Sequence, residues 1–180
     1  MDERICYFFS FLIEGLVFWN YVSILFVPKY STKIRFVCLS SGFFILFLSS
    51  LHNVFLLNCI LYTTVCFLYL IFLYKTSWYY ALFHSLLFEV LTGACELPVY
   101  SFLSTFLTSA SLRAADFHLK LLFAVMSKTL FFAVMSVLLL WLKKRQKPFL
   151  QYDKSVFFTI LIPFIAQIIV LILIAVCDSQ

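Results

Sequence analysis

Val54–Tyr74 reads VFLLNCILYTTVCFLYLIFLY, an unbroken apolar run without one charged side chain, followed at once by Lys75. The hydrocarbon core of a bilayer is crossed by roughly 20 apolar residues in helical form. The run is continuous rather than alternating, which disfavours a spanning strand. Outward from it in both directions the pattern repeats, at Ile5–Val27, Ile34–Leu51, Tyr79–Leu107, Leu119–Leu142 and Ser155–Cys177. The expected fold is therefore all-α, a polytopic bundle of six transmembrane helices filling residues 1–180 as a single transmembrane domain. With 64% hydrophobic residues, 12% charged residues and a mean hydropathy of +1.07, the chain leaves no room for a soluble catalytic domain. Its partner is the lipid bilayer.

The net charge of +5 is a topology signal rather than a nucleic-acid signal, because the basic residues flank apolar spans. Loop one carries Lys29, Lys33 and Arg35; loop three carries Lys75; loop five carries Lys143, Lys144, Arg145, Lys147 and Lys154. The other face has Arg4, Arg113 and Lys120. The positive-inside rule places the lysine-rich loops in the cytoplasm and both termini outside. Tyr30, Tyr74, Trp78, Tyr79, Tyr80, Trp141 and Tyr152 gather at the same face, as interfacial anchors do. The N-terminus lacks the basic n-region of a signal peptide, so the first span is expected to stay in the mature protein.

Four ionisable groups fall inside the spans: Glu14, Glu89, Glu96 and Lys128. Each costs roughly 2.5–3.5 kcal/mol to insert and therefore faces a partner or a cavity. At about 1.5 Å of rise per residue, Glu14 and Lys128 lie about 13 Å from the outer ends of their spans and Glu96 about 16 Å. Lys128 is expected to pair with Glu96 or Glu14, with the surplus carboxylate protonated or facing a wet cavity. Span four also carries Ser85, Glu89, Thr92, Gly93, Glu96 and Tyr100 at offsets that return to one face, which should look into the bundle. Gly93 would permit close helix approach, and Pro98 should kink the outer third of the helix. Pro163 and Gln167 mark a kink and an interhelical hydrogen bond in span six.

The six cysteines form no CxxC pair, and buried thiols behave as small hydrophobes. His84 is expected at the headgroup interface, and His52 and His118 at span ends. None stands at metal-ligand spacing, so neither metal nor cofactor is implied. His52 and Cys59 are spaced in a way that resembles the membrane peptidases which process autoinducing peptides. The Arg and Gly-Gly context of those enzymes is missing, since Phe47-Leu48-Ser49-Ser50-Leu51 precedes the histidine.

Several short motifs recur in a fixed order: Ile13-Glu14-Gly15-Leu16, the turn His52-Asn53, and Tyr74-Lys75-Thr76-Ser77-Trp78 leading into a long span with Glu96-Leu97. Ser127-Lys128-Thr129-Leu130, Leu142-Lys143-Lys144-Arg145 and Leu161-Ile162-Pro163 follow. This order resembles the N-terminal membrane region of the GHKL-type sensor histidine kinases of Gram-positive bacteria, the class that includes quorum-sensing peptide receptors. The resemblance implies a two-component signalling receptor that detects a peptide or small-molecule signal outside the cell, working as a homodimer. It also implies a further span, a phospho-accepting histidine and an ATP-binding domain, none of which is recognisable in these 180 residues. The chain is thus expected to be a sensor without catalysis. The alternative is a small six-span transporter or substrate-binding subunit; a peptidase using His52 and Cys59 comes third.

Overall fold

The computed structural model describes residues 2–52, 55–106 and 117–145. Within them the chain is all-helical, with five helices: α1 Asp2–Leu25, α2 Thr32–Ser50, α3 Phe55–Leu73, α4 Trp78–Phe106 and α5 Phe117–Arg145. Four stretches are long and apolar enough to cross a membrane, Arg4–Leu25, Thr32–Ser50, Trp78–Val99 and Leu121–Leu140, and α3 adds the shorter apolar stretch Leu57–Leu73. The six-span count thus meets five helices among the described residues. The run Ser155–Cys177, with Pro163 and Gln167, lies outside them.

The helices close into a ring. Each packs on its chain neighbours, and α1 also meets α5. The two run parallel: Glu14 meets Lys128, while Val17 and Asn20 further along α1 share a groove with Met135 and Leu139 of α5. Side chains from all five helices fill the interior, among them Phe18, Phe43, Leu70, Phe88 and Phe131. Polarity is reversed relative to a water-soluble bundle. Leu16, Val37, Phe72, Val137 and Leu140 face outward, while Glu14, His84, Ser85, Ser127 and Lys128 are buried. Such a surface suits lipid, which costs an exposed leucine nothing and an exposed charge a great deal.

Two close helix approaches help the ring to close. A methyl group added at Gly15 would stand 3.3 Å from the Phe43 ring, and one at Gly42 would stand 2.8 Å from Val65. These contacts join α1 to α2 and α2 to α3. Gly93, expected to serve close packing, is only half-buried. Pro98 lies inside α4 and is exposed, leaving the Ala94 carbonyl without its intrahelical donor.

At the basic end, the segments after α1 and α3 pair through their backbones. Lys29 N–H donates to Leu73 C=O at 2.9 Å, and Lys75 N–H donates to Val27 C=O at 2.9 Å. Lys29 Nζ also donates to Ile71 C=O at 2.8 Å. Here two expectations need correction. Tyr74 is fully buried rather than an interfacial anchor, and His84 is 1% exposed rather than interfacial. Ring closure turns the first turns of α4 inward, so span-end residues on that face enter the core.

Candidate functional site

Glu14 on α1, Glu96 on α4 and Lys128 on α5 come together. Lys128 Nζ donates to Glu14 Oε1, and to Glu96 Oε1 at 2.5 Å. The expectation allowed one partner or the other; the structure has both. The lysine and Glu14 are buried, whereas the Glu96 side chain is 41% exposed. One ammonium shared by two carboxylates leaves a formal charge of −1 when all three are ionised. The Glu14–Lys128 pair is the buried part of the trio, and Glu96 is its more exposed member. Charge-assisted hydrogen bonds are stronger than neutral ones. In a low-dielectric setting the loss of one partner strands the others.

Glu89 stands apart from the lysine. Thr63 Oγ1 of α3 donates to its Oε2, and the Cys59 thiol lies beside the same carboxylate. Ser85 and Thr92, on the same stripe of α4, return their hydroxyls to Leu82 and Phe88 carbonyls at 2.9 and 3.0 Å. Tyr62, also on α3, is buried beside Glu14. The polar stripe of α4 thus splits between two receivers, Thr63 at one level and Lys128 at the next. Cys59 turns toward Glu89, and His52 is exposed at the turn after α2.

Below this polar layer, Phe88 collects the interior aromatics. Its ring centroid lies 4.9 Å from Phe18, 5.2 Å from Phe131, 6.1 Å from Tyr62 and 6.2 Å from Tyr21. Tyr21 and His84 join α1 to α4 through a hydrogen bond of 2.6 Å between Oη and Nδ1. A groove of about 200 Å³ runs between α1 and α5 on the outer side, lined by Leu16, Asn20, Phe132 and Ser136 among others. Among the described residues no group of three or more metal-ligating side chains occurs.

Thr63 and Tyr62 were not among the residues expected at the site, and Cys59 was expected only as a partner of His52. The signal was present: Cys59, Tyr62, Thr63 and Cys66 recur at helical spacing on one face of α3, the partner of the α4 stripe. Comparison with protein-family models, curated proteins and solved structures returns no match to this chain.

Proposed function

We propose that this chain is the signal-detecting membrane region of a receptor of the sensor-kinase type, without catalysis of its own. In this reading it has six spans, keeps its lysine-rich loops in the cytoplasm and receives a peptide or small-molecule signal at the opposite end. The observation that carries the proposal is Lys128 shared between Glu14 and Glu96, one residue from each of three helices. Such a trio supports two packings: one with the lysine divided between both carboxylates, and one in which a ligand draws Glu96 away. Because Glu96 sits on α4, its release would let α4 shift against α1 and α5, a two-state repacking of the kind receptors use. The aromatic interior supports a helix-shift device over a carrier, since Phe88 and its neighbours occupy the space a midplane substrate would need.

The test uses the full chain in nanodiscs with the peptide fraction of its host's spent medium. The expected result is a raised melting temperature for the wild type and no shift for Glu96→Gln. Absence of a wild-type shift, with solute uptake in proteoliposomes, would replace the receptor with the transporter.

A further inference from the structure

Arg35 sits in the first turn of α2, buried, and no carboxylate pairs with it among the described residues. Its Nη1 donates to the Tyr74 hydroxyl at 2.9 Å and its Nη2 to Thr32 Oγ1 at 3.2 Å. The guanidinium lies 5.1 Å from the Trp19 ring centre and 5.4 Å from that of Tyr74. Both hydrogen-bond acceptors are neutral, and Nε has no partner. Aromatic faces lower the cost of burying a cation but do not neutralise it. A full positive charge is therefore held in place with no counterion among the described residues.

The helix start beside it supplies more donors. Ser31 is the N-cap residue, yet its side chain makes no capping hydrogen bond. The first bond of the ladder runs from Arg35 N–H to Ser31 C=O at 3.2 Å. The N–H groups of Thr32, Lys33 and Ile34 precede it and have no intrahelical acceptor. Thr32 Oγ1 accepts from Arg35, which leaves the hydroxyl proton to be donated outward. Lys33, exposed in the same turn, adds a second positive charge. Directly below, Ile34, Phe36 and Val37 present apolar surface away from the bundle.

We infer that the start of α2 is a binding site for the phosphate group of an anionic membrane lipid, with Arg35, the Thr32 hydroxyl and the Thr32–Ile34 backbone N–H groups facing it. A phosphodiester brings one negative charge and two acceptor oxygens, which suits a helix N-terminus next to an arginine. The lipid is favoured over free phosphate by position. A membrane-length helix begins where headgroups lie, and the apolar face of Ile34, Phe36 and Val37 is placed for an acyl chain. The inference needs a bilayer but not the receptor reading, so either can fail alone.

The experiment is native mass spectrometry of the full chain in neutral detergent. It would be titrated with phosphatidylglycerol, with a phosphate-free glycolipid of the same acyl chains, and with inorganic phosphate. Phosphatidylglycerol is expected to bind at least about tenfold more tightly than the glycolipid. That preference should fall about tenfold in Arg35→Gln, about threefold in Lys33→Gln and less than about twofold in Lys75→Gln. If Arg35→Gln does not fold, Thr32→Val and Lys33→Gln, both at exposed positions, carry the comparison. Equal binding of the two lipids, or a preference untouched by the α2 variants, would overturn the site. Inorganic phosphate binding as tightly as the lipid would overturn its assignment to a lipid.

Discussion

Around Lys128 the ring of helices is held by an ion trio, whereas toward its basic end it is held by aromatic packing and by hydrogen bonds to neutral acceptors. In the first region Glu14, Glu96 and Lys128 join α1, α4 and α5 through a single ammonium. In the second, α1 and α4 meet through Tyr21–His84 and the ring contacts of Phe88, and the two basic-end connections pair backbone to backbone. Charge in lipid is strong but divisible, because one lysine can serve either carboxylate. Ring packing depends on shape complementarity rather than on charge. In the receptor reading proposed above, the middle of the bundle is the layer that switches and the aromatic layer is the one that holds.

The largest effect is expected where the charge layer is broken from the cationic side. Lys128→Met strands both carboxylates and should cost about 4 kcal/mol in the unfolding free energy measured in mixed micelles. Adding Glu14→Gln and Glu96→Gln to that variant should recover most of the loss, because the stranded charges are then gone. A triple variant no more stable than Lys128→Met would show that the trio does not act as a unit. Phe88→Ala, in the aromatic layer, should cost about 3 kcal/mol by the same measurement, with no rescue from charge variants. Gly42→Ala pushes a methyl group to 2.8 Å from Val65, so the α2–α3 contact must open, at about 1 kcal/mol. Glu96→Gln is the smallest, about 0.5 kcal/mol, since that side chain is already 41% exposed and Glu14 keeps the lysine paired. It should nevertheless abolish the ligand-induced shift in melting temperature, and that separation of stability from response is the sharpest test of the comparison.

The helices were legible because an apolar run of membrane length has few other fates. The Glu14–Glu96–Lys128 meeting was within reach for a related reason: a charge in lipid must be answered, and depth along each span narrows the candidates. Depth says nothing about which way a residue turns. His84 and Tyr74 lie at span ends, where an amphipathic ring is equally at home against headgroups or against another helix, and ring closure decided for the core. Arg35 reads as one more basic loop residue until the fold brings Trp19 and Tyr74 onto its guanidinium. Gly15 and Gly42 are no different from Gly93 along the sequence; only the neighbouring Phe43 and Val65 make them points of close approach.

Glu14 and Lys128 are separated by 114 positions along the chain. At roughly 5–20 residues per second of synthesis, α1 would wait roughly 6–23 s before the lysine that answers its carboxylate has been made. During that interval a lone acidic group sits in a newly inserted helix, shielded only by water or by the insertion machinery. Biogenesis should therefore be more sensitive than the finished protein to the acidity of position 14. Replacing Glu14 by glutamine should raise the yield of inserted chains even while it weakens the assembled bundle.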